Sequence, residues 1–244
     1  MSFEKEVKER IDAIGQSEEL KSSAHNFMKV SLAPKYSYNF SWLGRPIIQY
    51  PQDMIAMQEI IWEVKPDLII ETGIAHGGSL IFSAAMLELV AVCTGSEGEV
   101  LGVDIDIRPH NRKAIEEHPM FKRISMIEGS SIAPEIVAKV IEKAKGKKRI
   151  LVCLDSNHTH AHVLAELVAY APLTSIGSYC VVMDTVIEDM PEGFFPDRPW
   201  DKGDNPKTAV WEYLKTHSEF EIDKSIQYKL LITVAPDGYL KRVG

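Results

Sequence analysis

Residues 67–83 read DLIIETGIAHGGSLIFS. A β-branched run ends in an acid, Glu71. A turn carrying Gly73, Gly77 and Gly78 follows, and then an apolar stretch of helical pattern begins. A buried strand does not normally finish on a carboxylate unless something polar docks at its tip. The glycines let backbone N–H groups approach a ligand closely just before the helix starts. Their spacing is G-x-x-x-G-G rather than the G-x-G-x-x-G of dinucleotide folds, so no diphosphate is implied. With Glu71 preceding the turn, an anion is still less favoured, and a ligand bearing positive charge fits better. The plainer alternative is a tight turn with a solvated glutamate.

Outward from this stretch the chain alternates regularly. Apolar runs at 67–71, 99–105, 123–129, 149–155 and 178–184 read as strands, separated by helical patterns. PQDMIAMQEIIWEVK (51–65) reads as a helix, with Pro51 in its first turn and Ile55, Ile60, Ile61 and Trp62 on an apolar side. Five β-α units with apolar strands predict an α/β fold, a mostly parallel sheet with helices on both faces. After a Pro/Gly/Asp-rich loop at 190–206 comes a helix over KTAVWEYLKTH. FEIDKSI, KLLITVA and YLKRV then close the chain with antiparallel edge strands around the Pro236-Asp237-Gly238 turn. Residues 3–30 look mostly helical. Residues 31–50 carry three Tyr, one Phe and one Trp without clear periodicity, which predicts a loop or arm. The organisation expected is an N-terminal helix and aromatic arm or lid over 1–50 and one catalytic domain over 51–244.

An open α/β sheet binds its ligand beyond the C-terminal ends of its strands. Those ends carry Glu71, then Asp104 and Asp106, then Glu128 and Ser130, then Asp155, then Asp184. Such carboxylates repel one another unless a cation or hydrogen-bond donors sit among them. S-adenosylmethionine, with a sulfonium and an ammonium group, suits the turn after Glu71, and Asp104 is placed to accept from a ribose diol. Asp155 and Asp184 would face one crevice and supply oxygen ligands for magnesium. His158 would sit beside them as a base titrating near neutrality. Helix capping or exposure at the sheet rim would explain the same two acids without a metal. LDSNHTHAH (154–162) also alternates His158, His160 and His162, which suggests zinc. Only His158 and His162 share a helical face, however, and no HExxH is present.

The bulk composition limits partners. The 244 residues hold 27 Lys plus Arg against 35 Asp plus Glu, a formal net charge of −8. An acidic chain without a dense basic run is a poor nucleic-acid or anionic-membrane binder. No apolar run reaches the roughly 18 residues of a membrane span. The start, MSFEKEVKERIDAIG, does not resemble a signal peptide. Cys93, Cys153 and Cys180 lie in apolar surroundings and are expected to be reduced and buried, consistent with a cytoplasmic protein.

The stretches YNFSWLGRPIIQYPQD (38–53), ETGIAHGGS (71–79), LDSNHTHAHV (154–163) and NPKTAVWEYL (205–214) resemble the cephalosporin hydroxylase-like family, which also takes in rhamnosyl O-methyltransferases. The resemblance runs from about residue 36 to the C-terminus. It implies a class I S-adenosylmethionine-dependent methyltransferase fold: a Rossmann-like seven-stranded sheet with an antiparallel C-terminal pair. It assigns Glu71, Gly73, His76, Gly77 and Ser79 to the cofactor turn, Asp104 to the ribose, and Gly129 and Ser130 to the adenine side. Asp155 counts toward both cofactor and metal, Asp184 is a metal ligand and His158 the base. More distantly the chain is similar to macrolide sugar O-methyltransferases that use magnesium and a histidine base. Where related enzymes carry Glu-Asp at the fifth strand end this chain has Met183-Asp184, so Glu188, Asp189, water or substrate must replace one ligand.

The expected activity is methyl transfer to a hydroxyl of a sugar, glycolipid or secondary metabolite. Residues 31–50 and 186–206 would be the lids over that acceptor, and the chain is expected to form a homo-oligomer. The rivals are an iron oxygenase true to the hydroxylase label and a non-catalytic cofactor-binding partner protein. Nicotinamide reduction ranks behind both, because the glycine spacing is wrong for it.

Overall fold

A computed structural model describes residues 2–244; the first residue of the expected 1–50 arm lies outside the described residues. Two helices open the chain, α1 (Phe3–Gln16) and α2 (Glu18–Leu32), each capped by a serine side chain, Ser2 and Ser17. The aromatic arm then forms a hairpin, β1 (Phe40–Trp42) paired antiparallel with β2 (Arg45–Ile47). Its turn residues Leu43 and Gly44 both have positive φ, at 45° and 84°, the conformation two-residue hairpins need. Sequence reading missed this hairpin because leucine is a poor marker for such a turn.

From α3 (Pro51–Val64) the alternation holds: β3 (Leu68–Thr72), α4 (Gly78–Thr94), β4 (Glu99–Asp104), α5 (Pro109–Glu116), β5 (Ile124–Glu128), α6 (Pro134–Ala144), β6 (Ile150–Leu154), α7 (His160–Tyr170), β7 (Tyr179–Val182) and α8 (Pro206–Tyr213). β8 (Phe220–Ile222), α9 (Lys224–Leu230) and β9 (Tyr239–Arg242) complete it. The sheet order is β5-β4-β3-β6-β7-β9-β8, parallel except that β9 runs antiparallel to both its neighbours. The chain moves outward from β3 through β4 and β5, then returns to the other side of β3 with β6. The switch point therefore lies between β3 and β6, the geometry that opens a crevice at the strand ends.

Every residue of β3 and β6 is buried, as parallel central strands require. The period of two sends Ile69 and Leu151 toward α3 and α4, while Leu68, Ile70 and Val152 pack against α6, α7 and α8. At about 1.5–3 kcal/mol per fully buried aliphatic side chain, these two layers fix the strand ends on which the site depends.

Three expectations need correction. KLLITVA is not a strand: its first residues finish α9, which Asp223 caps, and the rest is a loop. Buried Asp53 takes the Val234 N–H of that loop at 3.0 Å, so tertiary contact overrides the β propensity of the run. In α3, Ile60 and Ile61 are buried, but Ile55 and Trp62 lie on the exposed side. Cys153 and Cys180 are buried as expected, whereas Cys93, near the end of α4, is exposed.

Candidate active site

A cleft of about 1080 Å³ opens over the C-terminal ends of β3, β4, β6 and β7. It exceeds the roughly 300–1,000 Å³ of ordinary small-molecule pockets, leaving room for two ligands side by side. Its floor is the turn after β3. Gly73 has φ +91°, and a Cβ there would lie 2.1 Å from the Asp155 carbonyl oxygen, so only glycine lets the ends of β3 and β6 approach this closely. Asp104 holds the same turn, accepting from the Ile74 N–H at 2.7 Å and the Ala75 N–H at 3.2 Å. It also accepts from the Asp106 N–H at 3.1 Å. A carboxylate has about four lone-pair sites, so Asp104 retains capacity for a ligand hydroxyl.

Two residues that sequence reading did not single out clamp this turn from outside. Arg45 on β2 donates to the His76 carbonyl through Nε at 3.1 Å and Nη2 at 2.5 Å. The same Nη2 reaches Asn111 Oδ1 at 3.1 Å, and Asn111 Nδ2 donates to the Ala75 carbonyl at 2.9 Å. The hairpin is thus part of the site's wall. Neither residue carries a sequence signal, since both act on backbone atoms far along the chain.

Glu71 lies beneath the floor instead of in the cleft. It is buried and accepts a short hydrogen bond from the Ser79 hydroxyl. Burial raises its carboxyl from an ordinary 4.5 to about 7, with the Ser79 bond opposing. His76, Ser79 and Gly73 line the cleft, as does Gly78. The Cβ position of Gly77 instead faces the Ile115 side chain. Gly129 and Ser130 lie beside Asp104, with the Gly129 N–H donating to the Asp104 carbonyl at 2.8 Å, but they are not among the cleft's lining residues.

At the opposite end, Asp155, His158 and Asp184 converge, with one ligand atom from each within 4.8 Å of the others. His158 Nε2 is 3.1 Å from Asp184 Oδ2. Its ring meets Trp200 edge to face at a centroid distance of 4.7 Å. The Asp155 carboxyl is held well above the usual carboxylate range, first by burial and then by the charges of Asp184 and Glu71. Such mutual repulsion is what a bound cation would relieve, so these donors fit a divalent metal. Asp184 itself adopts a left-handed φ of 55°, a strained conformation for an aspartate, which turns its side chain to the cleft while Met183 remains in the core.

The other candidates disperse. Glu188 does not join the metal ligands: its carboxylate accepts from the Gly203 N–H at 2.8 Å and Asn205 Nδ2 at 2.6 Å, fixing the base of the 190–206 loop. Asp189 is paired with buried Lys207 at 2.6 Å. Glu128 is exposed and bonded to Arg112 at 2.7 Å. The three histidines part company, because α7 starts only at His160 and His158 precedes it. His160 bonds Thr208 at 2.8 Å and lies 3.2 Å from Glu212, and His162 sits among Ser131, Ser156 and Glu166, so the zinc reading fails.

The family model for rhamnosyl O-methyltransferase/CmcI proteins matches residues 34–243. The chain belongs to this family. A rhamnosyl O-methyltransferase of Mycobacterium tuberculosis (strain ATCC 25618 / H37Rv) is 33% identical over 198 residues, spanning 78% of this chain and 73% of the relative. One from Mycobacterium leprae (strain TN) is 32% identical over 205 residues, 83% of this chain and 82% of the relative. Among solved structures, CmcI-D160 with Mg and SAM superposes with a TM-score of 0.58 at 19% identity, over 85% of this chain and 78% of that one. CalS11, a TDP-rhamnose 3′-O-methyltransferase of calicheamicin biosynthesis, gives 0.55 at 16% identity, over 100% and 96%. The structural likenesses establish a shared fold, the class I methyltransferase fold expected from the motifs. In this rhamnosyl O-methyltransferase/CmcI protein, no helix among the described residues is long and apolar enough to cross a membrane.

Proposed function

We propose that the chain is an S-adenosylmethionine-dependent O-methyltransferase acting on a sugar hydroxyl, free or carried on a larger molecule. The observation that carries this reading is the convergence of Asp155, His158 and Asp184 at one end of a cleft whose other end is the glycine turn held by Asp104. Family membership supports it. So do the neighbours' own names, two of which concern rhamnose.

In this reading the turn from Gly73 to Ser79 holds the cofactor and Asp104 accepts from its ribose. Bound there, S-adenosylmethionine supplies the methyl group; a divalent cation on Asp155 and Asp184 would lower the pKa of the acceptor hydroxyl. His158 takes the proton of that hydroxyl, and Asp184, 3.1 Å from its Nε2, stabilises the imidazolium that results. Trp200 sets the imidazole's angle by packing on its ring. The acceptor's wall is built from the arm residues Ser37 and Tyr38 and from Phe194, Phe195 and Trp200 of the 190–206 loop. Aromatic faces there suit the apolar face of a deoxysugar. The donor set of one histidine and two carboxylates departs from the two histidines and one carboxylate of iron oxygenases, which argues against the hydroxylase alternative.

The test is calorimetric titration of S-adenosylmethionine with and without magnesium, followed by transfer of labelled methyl to a rhamnoside. Micromolar binding whose affinity responds to magnesium, together with labelled product, is the expected result. No binding in either condition would remove this reading.

A further inference from the structure

Ala75 stands in the glycine turn with φ +47°, the left-handed conformation that glycine adopts freely and alanine resists. The Gly77 N–H donates to the Ile74 carbonyl at 2.7 Å, closing a four-residue turn with Ala75 at its first central position. A positive φ at that position is ordinarily met by glycine. The methyl group gains nothing from core packing in return, because Ala75 is exposed and lines the cleft. Backbone strain of this kind persists only where the surroundings over-determine it.

Here the surroundings grip the residue from both sides. On its N–H side, Asp104 Oδ2 accepts from Ile74 and Ala75. On its carbonyl side, Asn111 Nδ2 donates to the Ala75 oxygen at 2.9 Å, and Arg45 holds the next carbonyl, that of His76, through Nε and Nη2. Asn111 is buried and its Oδ1 is taken by Arg45, so the carboxamide is locked with its nitrogen toward Ala75. Arg45 is fixed in turn by its hairpin. Trp42, its cross-strand partner, meets Phe82 of α4 edge to face at 5.0 Å, and His118 Nε2 lies 3.0 Å from the Leu43 carbonyl oxygen. The arm therefore reaches the strained residue through one guanidinium and one carboxamide.

We infer that Arg45 and Asn111 are positioning residues for the cofactor: they hold Ala75 left-handed, and the N–H groups of that turn keep the Asp104 carboxylate aimed into the cleft. This rests on the proposed cofactor, and the test separates the two. Without the clamp Ala75 relaxes to an ordinary conformation, and apparent affinity falls by the fraction of chains that do so. S-adenosylhomocysteine is titrated calorimetrically into the wild type, Asn111→Leu and Arg45→Met, each with and without Ala75→Gly. Left-handed alanine is disfavoured by roughly 5- to 30-fold, so each single variant should bind about tenfold more weakly. When Ala75→Gly is already present, the same two substitutions should cost about threefold or less, because glycine keeps the conformation unaided. A merely structural loss would be equal in both backgrounds. Thermal melts report folding, and should Asn111→Leu not fold, the Arg45→Met pair decides. Equal loss in both backgrounds, or unchanged affinity in the single variants, would overturn the role given to Arg45 and Asn111 and leave the cofactor assignment standing. A wild type that does not bind S-adenosylhomocysteine would overturn both.

Discussion

Glu71 offers a quantitative test of how the site is built. Its carboxyl is buried and raised from 4.5 to about 7, so between those values the folded chain holds a proton that the unfolded chain has released. The folded state binds more protons there, and stability falls as pH rises through that window. Below 4.5 the group has no such effect; above about 7 the full penalty applies. At about 1.36 kcal/mol per pH unit the interval amounts to about 3 kcal/mol at pH 8 and about 1 kcal/mol at pH 5. Glu71→Gln imitates the protonated form and can still accept from Ser79. It should therefore gain on the wild type as pH rises. The unfolding-temperature difference should widen by roughly 4–10 °C between pH 5 and pH 8, taking about 2–4 °C per kcal/mol for a chain of this size. Thermal melts of ligand-free protein at both pH values measure this directly. The same variant should bind S-adenosylmethionine more weakly at pH 8, because the cofactor's positive charge loses an anion beneath it. A pH-independent difference between the two melts would refute the claim that burial, rather than some other contact, sets the Glu71 carboxyl.

Other consequences follow from the same geometry. Asp104→Ala removes the acceptor for the Ile74 and Ala75 N–H groups and should weaken cofactor binding at least tenfold by calorimetry. Asp155→Ala should spare cofactor affinity and abolish turnover; equal loss of binding in the two variants would sink this division of roles. Glu188→Ala should lower thermal stability by about 1–3 kcal/mol through loss of the Gly203 and Asn205 bonds, yet leave magnesium affinity unchanged in titration. Gly73→Ala should destabilise far more than Gly44→Ala in denaturant melts. Both glycines have positive φ, but nothing lies within 4 Å of a Cβ at Gly44, whereas one at Gly73 meets the Asp155 backbone.

The parts of the site legible in the sequence are those created by local pattern. Period-two apolar runs placed Asp104, Asp155 and Asp184 at the same edge of the sheet, and the glycines after Glu71 marked the close approach of β3 and β6. Proximity in sequence misled where backbone direction decides the outcome. Glu188 is four residues from Asp184, but the 3₁₀ turn Thr185–Asp189 carries it to the base of the loop. His158, His160 and His162 alternate in sequence, yet the start of α7 between the first two separates their surroundings. Illegible altogether were Arg45 and Asn111, whose partners include carbonyls of the glycine turn after β3, and Asp53, whose partners lie near the C-terminus. A contact between one side chain and a distant backbone leaves no periodic trace.

The cleft is electrostatically costly to the unliganded fold. Burial raises Glu71 and Asp53, the latter to about 6, and burial together with Asp184 raises Asp155. All three effects oppose the ionised folded state near neutral pH, and all have the sign that a nearby positive charge reverses. A sulfonium cofactor and a divalent cation would therefore have the same thermodynamic task here, restoring charge balance to a crevice that the strand ends made acidic. Each should stabilise the fold by mass action, by about 2.7 kcal/mol at a hundredfold excess over its dissociation constant, and so raise the unfolding temperature. If the two relieve a shared repulsion, each leaves less for the other to relieve, so the stabilisation by both together should fall short of the sum of each alone. Strictly additive stabilisation would mean that the carboxylates do not sense one another, contrary to the effect of Asp184 and Glu71 on Asp155.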